Sequence, residues 1–451
     1  MKKVIKSLSH NTSIYEKLSL ILLSLIPFAL AGSILIAELF SAFIGIFALV
    51  WIIKNKQNTE IFQNIKIPLY TIILFYLLIL VSLSFSYNFN KSFLPSFFYF
   101  RYLLLSLGIF ILIYKFEQTL KIIFISLIFL LILIVIDSAY EMMKIYKLFG
   151  LTLEEYRFNQ GSTYFITSFF GDEKKLGSFL VRLLPLILSL AIFFNFKIFK
   201  QLDIKIPILV IVGVLVFLTS ERVAFFLFIL TCIALLKVFK RRLLFLLFSF
   251  LILISLITAQ PKLFEKYVYV TLSQFEILNS HFMYKDSEKE NRVKIVKNLD
   301  FSKFKYISDE HEKLLKSGII IFKENIFTGS GLKNYHRYCK NIKDERSLDI
   351  KCSSHPHNTY IQILSDIGIF GGLLIISIFF YILYLNLKIL FIKNPSTIIK
   401  SFYVLNIGII INLMPFIPSG SFFNNWINLM LYFPLGTWLY LFYYIKKNKK
   451  I

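Results

Sequence analysis

Two histidines in a polar stretch offer the clearest acid–base chemistry in the sequence. The stretch reads Cys-Ser-Ser-His-Pro-His-Asn from position 352 to position 358, and an apolar run follows it directly. A neutral imidazole can take a proton from an alcohol near neutral pH, so His357 is a candidate general base for an attacking hydroxyl. Because proline favours the first turn of a helix, Pro356 predicts that His357 begins one. The alternative is that His357 only caps this helix and hydrogen-bonds to neighbouring loops.

Two arginines lie beside or within apolar runs. Arg222 ends the sequence Thr-Ser-Glu-Arg between two such runs, and Arg182 lies inside another. Charged groups in these places are costly unless they are paired or functional, and a guanidinium can bind two phosphate oxygens at once. Both arginines are therefore candidate phosphate ligands. The alternatives are that Arg222 pairs with Glu221 and that Arg182 pairs with a carboxylate in a polar cavity.

Two carboxylates, Asp172 and Glu173, precede Arg182 in a loop. They could bind sugar hydroxyls or orient an arginine or a histidine. The alternative is a solvated loop tip. No P-loop, dinucleotide fingerprint or nucleophile elbow occurs, and the carboxylates typical of metal-dependent nucleotide-sugar transferases are missing as well. The sequence therefore does not predict a site for a nucleotide sugar.

Cys339 and Cys352 flank a polar segment of twelve residues just ahead of the histidines. In an oxidising compartment the two thiols predict a disulfide that restrains the loop. The competing interpretation is a metal site formed by both cysteines with His355 and His357, because Cys-x-x-His is a permitted ligand spacing.

The composition predicts an all-α integral membrane protein. Of the 451 residues, 57% are hydrophobic and 18% aromatic, and the apolar runs are long and continuous. Only helices and closed barrels satisfy their backbone polar groups in lipid, and a barrel would alternate apolar with polar residues. The formal charge of +24 comes mostly from lysines in short loops, which indicates topology determinants rather than nucleic-acid binding.

Apolar runs of about 20 residues predict about twelve spans. They lie near 16–31, 33–53, 67–85, 97–114, 119–138, 176–196, 205–219, 222–237, 243–259, 357–386, 399–417 and 425–444. Lysines and arginines concentrate in alternate loops, which predicts that both termini are cytoplasmic. Two long segments, 139–175 and 260–356, then face outward, so the expected parts are a bundle at 1–259, an external insertion at 260–356 before the tenth span, and spans at 357–451. Apolar positions at helical spacing predict an amphipathic helix in the insertion: 314, 315, 318, 319, 322 and 326.

Three short patterns resemble one family. His357-Asn358 is followed after nine residues by Gly368-x-x-Gly371, an Asn-x-x-x-Gly-x-Gly turn ends at Gly331, and a Ser-x-Arg pattern ends at Arg222. Together they resemble the O-antigen ligase and polymerase superfamily over about 150–372, and the resemblance is most specific at 325–372. The loop and span from 170 to 185 are similar to a bacterial subgroup of that family.

The resemblance implies a role for each candidate residue. His357 would activate the acceptor hydroxyl, and Arg222 would bind the diphosphate of the carrier. Many members have a second arginine ahead of the glycine turn, where this chain has His311 and, further upstream, Arg292. His311, Arg292, Arg182 or nearby lysines could therefore supply the second phosphate-binding cation. The expected supporting residues are Asn358, His355, Gly329, Gly331, Asp172 and Glu173.

The resemblance also implies a fold and a function. Members have a GT-C-like membrane architecture and transfer a glycan from undecaprenyl diphosphate to an acceptor hydroxyl, with inversion and without a metal or other cofactor. Ligation of O-antigen to lipid A-core, at the periplasmic side of a bacterial inner membrane, is the favoured reaction. The alternatives are an O-antigen polymerase, a protein O-oligosaccharyltransferase and, from another class, a polysaccharide or lipid transporter. Expected partners are the lipid-linked donor, the acceptor and membrane lipids, with no nucleic acid.

Overall fold

The structure is a computed structural model that describes residues 13–55, 60–145, 165–196, 203–238 and 307–448, together with positions 254, 258 and 267. Nearly all of the described chain is helix joined by short loops. Most of the span predicted at 243–259 lies outside the described residues, and so do Arg292 and the external residues between 268 and 306.

The described ranges contain sixteen α-helices. In chain order they are α1 (Ile14–Gly32), α2 (Ile34–Lys54), α3 (Glu60–Gln63), α4 (Lys66–Ser84), α5 (Phe89–Phe97), α6 (Phe100–Lys115), α7 (Gln118–Ile145), α8 (Leu176–Phe193), α9 (Lys205–Leu218), α10 (Arg222–Leu235), α11 (Asp309–Glu324), α12 (Tyr335–Arg346), α13 (Thr359–Ile367), α14 (Ile369–Leu390), α15 (Thr397–Asn412) and α16 (Asn425–Lys447). A 3₁₀ turn, Ser168–Phe170, precedes α8.

The helices are those of a multi-pass membrane protein, which confirms the predicted fold class. Within the described ranges, seven helical segments are long and apolar enough to cross a membrane: Ile14–Gly32, Ile34–Lys54, Lys66–Ser84, Phe89–Lys115, Gln118–Lys144, Leu176–Phe193 and Ile369–Leu390. Three shorter apolar helices are Lys205–Leu218, Arg222–Leu235 and Thr397–Asn412. Every predicted span that falls in the described part of the chain therefore has a helix at its position.

The chain divides into two compact units. The first contains Met1–Ile132, Arg182–Ile208 and Leu314–Ile451. In it α6 packs against α2 and α16, while α14 packs against α13 and α15. The contact between α2 and α6 includes an ion pair of 2.7 Å between Glu38 and Arg101, because a charge inside an apolar bundle needs a partner.

The second unit contains Leu133–Val181 and Leu209–Lys313. Its polar contacts gather at helix ends. The Glu141 carboxylate accepts hydrogen bonds from the backbone N–H groups of Thr167 and Ser168, at 3.1 and 2.9 Å. These bonds connect the end of α7 to the turn that leads into α8.

The span predicted at 357–386 is two helices, and this corrects the expectation of one continuous span. The chain breaks at Gly368, where φ is +84° and ψ is −170°, a conformation essentially restricted to glycine. A Cβ atom at Gly368 would lie 2.4 Å from the carbonyl oxygen of Phe327, so only glycine fits there. The membrane span therefore begins at Ile369, and the nine residues of α13 form a separate helix.

The amphipathic helix predicted in the insertion is α11, and its buried face coincides only in part with the predicted one. Leu314, Ser317, Gly318 and Ile321 are buried, whereas Ile319 is 38% exposed. A Cβ atom at Gly318 would lie 2.4 Å from the Ile361 side chain, so the glycine face of α11 is the one that packs on α13.

Candidate active site

The histidine loop, residues 353–358, leads into α13. The rings of His355 and His357 lie side by side, with centroids 4.1 Å apart. The Asn358 side chain accepts hydrogen bonds from the N–H groups of Tyr360 and Ile361, at 3.0 and 3.1 Å. Asparagine is a preferred N-cap, so Asn358 begins the helix. The expectation that His357 occupies the first turn is therefore wrong.

His357 has a left-handed backbone, with φ of +54°, and precedes the cap. Few residues other than glycine adopt this conformation, so surrounding contacts must maintain it. One such contact is a hydrogen bond of 2.8 Å from the Ser419 N–H to the His357 carbonyl oxygen. The half-buried ring places Nε2 at 3.3 Å from the Ser353 hydroxyl. A hydroxyl can donate or accept, so this ring nitrogen already faces the kind of group that a general base would deprotonate.

His355 is the more buried histidine, at 8% exposure, and both its ring nitrogens are engaged. Nε2 lies 3.2 Å from the carbonyl oxygen of Ser419, which can only accept, so this nitrogen must carry the hydrogen. Nδ1 can then accept from the Ser354 hydroxyl at 2.9 Å. Burial, and secondarily the charge of a protonated His357, lower the pKa of His355 to about 4. His355 is therefore a neutral, fixed imidazole near neutral pH.

Both histidines depend on a loop that joins α15 to α16, residues 413–424. Its Ser419 contacts the ring of His355 and the backbone of His357, as described above. The loop is attached to α13 by hydrogen bonds from Tyr360 Oη to the Leu413 carbonyl at 2.5 Å and from Thr359 Oγ1 to Ser419 Oγ at 3.0 Å. The position of α13 therefore determines the position of both imidazoles.

A buried amide on α13 makes further bonds to the same loop. Gln362 Nε2 donates to Ser421 Oγ at 3.0 Å, and Gln362 Oε1 accepts from the Phe422 N–H at 2.8 Å. The amide also donates to the Asp366 carboxyl at 3.2 Å. Burial raises the pKa of Asp366 to about 7, although the Gln362 amide and the charge of Lys333 oppose the shift. A polar network thus extends from the C-terminal end of α13 to the 413–424 loop, which contacts the histidines.

The glycine turn caps the other end of α13. The Ser330 and Gly331 N–H groups donate to the carbonyl oxygens of Ser365 and Asp366, at 2.8 and 3.0 Å. These carbonyls end a helix and have no partner within it, so the turn satisfies them. Gly329 and Gly331 have φ of +69° and +85°, and a Cβ atom at Gly329 would lie 2.4 Å from the Asp366 backbone. Both glycines therefore support the site indirectly, through α13.

Cys339 and Cys352 form a disulfide, with 5.6 Å between their Cα atoms. The bond connects α12 to the residue before the histidine loop. Cys339 belongs to a small buried cluster with Ile321, Tyr335 and Ile342, so the bond is anchored in packed residues. The two sulfurs bond each other here rather than acting as a pair of thiolate ligands. Among the described residues, no group of three or more histidine, cysteine or acidic side chains is arranged to hold a metal ion.

Arg182, in the first unit, lies in α8. Its guanidinium donates a hydrogen bond to the side-chain oxygen of Asn412, the last residue of α15. The next residue, Leu413, begins the loop that carries Ser419. Arg182 is therefore attached to the residue directly before the loop that contacts the two histidines.

Arg222, in the second unit, is the first residue of α10. The neighbouring Glu221 carboxylate accepts hydrogen bonds from the N–H groups of Gly177 and Ser178, at 2.6 and 3.1 Å. A carboxylate at a helix N-terminus is favourable, so Glu221 caps α8. Ser220 has φ of +59°, which marks a sharp turn ahead of Arg222. This turn therefore determines the position of Arg222 within the second unit.

The remaining candidates of the second unit lie in two other places. Asp172 and Glu173 are exposed in the turn before α8, and Glu173 forms an ion pair with Lys175. His311 lies in the first turn of α11, where Nδ1 is 2.8 Å from the Ser308 hydroxyl. Three acidic residues share that turn, which makes it a poor environment for an anion. Roles for these residues in sugar or phosphate binding remain predictions.

Sequence reasoning missed the polar network on α13. The sequence does contain a signal for this network, because polar residues at helical spacing lie inside an apparent span: Gln362, Ser365 and Asp366. Such residues are costly in lipid and indicate a face buried in protein. Ser419 gave no signal, because its contacts to the histidines depend on how a distant loop folds.

The comparison with known families agrees with the resemblance. The family described as O-antigen ligase matches residues 207–376, a segment that contains Arg222, His311, the glycine turn and the histidine loop. A search of curated proteins returns no match. The match over residues 207–376 supports assignment of the chain to the O-antigen ligase superfamily.

Proposed function

We propose that this protein transfers a glycan from a polyprenyl diphosphate to an acceptor hydroxyl, and that the reaction is ligation of O-antigen to lipid A-core. The family supports membrane glycosyltransferase activity of the O-antigen ligase or polymerase type. The observation that carries the proposal is the histidine pair, in which His357 contacts a hydroxyl and the adjacent His355 is neutral. The proposed location is a bacterial inner membrane, with cytoplasmic termini and the histidine loop in the periplasm.

In this mechanism His357 acts as the general base. Its imidazole takes the proton of the acceptor hydroxyl while the oxygen attacks the anomeric carbon of the donor. A new carbon–oxygen bond forms, the bond to the carrier diphosphate breaks, and the diphosphate leaves with the bonding electrons. The imidazolium that forms lies beside the neutral His355, so no second positive charge opposes proton uptake.

The leaving diphosphate requires cations, because its charge increases as the bond breaks. Arg222 is the proposed first ligand, and Arg182 or His311 the second. Lys333 is a further candidate, since it is exposed at the end of the glycine turn and its charge acts on His355. A guanidinium suits a diphosphate better than an ammonium does, because its planar donors bind two oxygens together.

The experiment is a gel of surface lipopolysaccharide from cells that lack the protein, together with analysis of their lipid-linked glycans. A ligase predicts loss of the ladder, with long glycan left on the polyprenyl carrier. Wild-type protein and the control Lys340→Ala, at an exposed position of α12, should restore the ladder, whereas His357→Ala should not.

Two other outcomes would contradict ligation. Core with a single repeat attached would indicate a polymerase that uses the same chemistry. An unchanged ladder would exclude lipopolysaccharide as the product and direct the search to a protein hydroxyl or another glycan. Restoration of the ladder by His357→Ala would overturn the assignment of the base.

A further inference from the structure

An apolar cavity of about 250 Å³ lies among α4, α14, α15 and α16, all in the first unit. Protein interiors are close-packed, and an engineered apolar cavity of about 150 Å³ is large enough to bind benzene. The walls combine aliphatic side chains with aromatic ones, the latter being Phe75, Tyr381, Phe422, Tyr432 and Trp438. A cavity of this size and lining suits a hydrocarbon chain.

One end of the cavity is formed by the loop that carries the histidine contacts. Leu413 and Phe422 line the cavity, and both belong to the 413–424 loop. The carbonyl of Leu413 and the N–H of Phe422 bond to Tyr360 and Gln362 of α13. The same loop therefore borders the cavity and supports the histidine pair, so a chain in the cavity would end close to that pair.

A cation adjoins the cavity as well. Arg182 and Asn412 line a second, water-sized cavity of about 10 Å³. The two cavities share four wall residues, Ile409, Leu431, Leu435 and Trp438. A guanidinium beside an apolar cavity favours an amphiphile whose hydrocarbon chain begins at an anionic group.

We propose that this cavity binds the isoprene units of the donor that lie next to its diphosphate. The inference rests on the proposed function. In a polyprenyl diphosphate glycan, the reacting carbon is attached to the diphosphate, and the diphosphate is attached directly to the first isoprene. The acyl chains of a lipid acceptor, by contrast, are separated from the reacting hydroxyl by sugars. The donor chain is thus the one that must lie within a few bonds of the histidines.

The test narrows the cavity by substitution and varies the length of the donor's isoprenoid chain. Ile378→Trp and Ile72→Trp place a ring in the cavity wall, and the matched controls Phe380→Trp and Leu74→Trp place one at exposed positions of the same two helices. Transfer kinetics are measured with a full-length polyprenyl donor and with a donor truncated to one isoprene. We expect a KM for the full-length donor about tenfold higher in the cavity variants, with kcat unchanged and no effect on the truncated donor.

Several results would overturn the inference. Equal effects of cavity and control variants would show that the cavity does not bind the chain. A raised KM for the acceptor instead of the donor would assign the cavity to an acyl chain. Equal effects on both donors would show that the ring disturbs the active site rather than chain binding.

A second measurement does not depend on transfer. A polyprenyl phosphate with a photoreactive group in its first isoprene, and with no sugar, is irradiated with the wild-type protein and the labelled peptides are identified. Labels on α4, α14 or the 413–424 loop are expected, and labels confined to exposed helix faces would contradict the inference. Labelling at the cavity in a protein that transfers no glycan would instead refute the proposed function and leave the binding site standing.

Discussion

The helices α13 and α14 follow each other across a single residue, yet they are built in opposite ways. α13 buries polar side chains, among them Thr359, Gln362 and Asp366. Thr359 and Gln362 bond the 413–424 loop, and the Asp366 carboxyl accepts from Gln362. α14 instead exposes apolar side chains at helical spacing, at positions 370, 373, 380, 384 and 387. The first helix is thus packed inside protein, and the second has a face that suits lipid.

The contrast shows where a site can form on a membrane protein. Mean hydropathy treats both helices as one apolar run, because aliphatic residues dominate each. The glycine at 368 separates a short helix that orients chemical groups from a long helix that crosses the membrane. Changes on the α13 side should therefore affect catalysis or folding, and changes on the outer face of α14 should affect neither.

The largest effect is expected from His357→Ala. Loss of a general base should lower the rate of transfer by about a hundredfold to ten-thousandfold. The measurement is turnover of purified protein in lipid, with the melting temperature as a check on folding. Substantial activity in a folded variant would mean that another group removes the proton.

The next effect concerns the break between the two helices. Gly368→Ala adds a Cβ atom 2.4 Å from the Phe327 carbonyl oxygen, at a backbone conformation that alanine avoids. We expect the free energy of unfolding to fall by at least about 2 kcal/mol. The control is Gly32→Ala in α1, where a Cβ atom meets nothing within 4 Å and alanine should be neutral or slightly stabilising. Equal melting temperatures for the two variants would show that the break can relax.

His355, just before α13, and Asp366, within α13, are buried titratable groups. They should change the stability in opposite directions as pH changes. The pKa of His355 is lowered from 6.5 to about 4, so its contribution to stability is present above the higher value and lost as pH falls through the lower one. The pKa of Asp366 is raised from 3.8 to about 7, so its contribution is present at low pH and lost as pH rises through about 7. Between these values the two contributions partly cancel.

Replacing either residue should therefore leave only the other residue's effect on the pH dependence of the melting temperature. Asp366→Asn should make the melting temperature rise more steeply with pH than in the wild type between about pH 4 and pH 6.5, the window in which His355 acts. His355→Asn should make it fall with pH over the same window, because Asp366 still acts. Lys333, His357 and the Gln362 amide surround these groups and remain unchanged in both variants. Parallel curves for all three proteins would contradict the assignment.

The smallest effect is expected on the outer face of α14. Phe380 is 60% exposed, so Phe380→Leu should leave both turnover and the melting temperature near the wild-type values. A loss of activity as large as that caused by a substitution on α13 would contradict the claim that the outer face of α14 contributes neither to catalysis nor to folding.

Within the described residues, the sequence was sufficient to predict most of the spans but not the short helix α13. Spans such as Ile34–Lys54 were predictable because membrane thickness fixes their length. The nine residues of α13 were merged into α14 because hydropathy does not register a left-handed glycine. His357 was predicted as the general base from its residue type and its resemblance to a family pattern. Its contact with Ser419 could not be predicted, because a hydrogen bond between distant segments depends on how helices pack.

The disulfide between Cys339 and Cys352 has a consequence for biogenesis. It closes a ring of chain, with a sequence separation of 13, that ends immediately before the histidine loop. A ring of this length reduces the entropy of the unfolded chain, by about 3 kcal/mol in the simplest treatment. Thiols stay reduced in the cytoplasm, so formation of the bond depends on the histidine loop lying on the proposed periplasmic side of the membrane. Protein made without this oxidation should therefore be less stable, with a histidine loop that the bond to α12 no longer restrains.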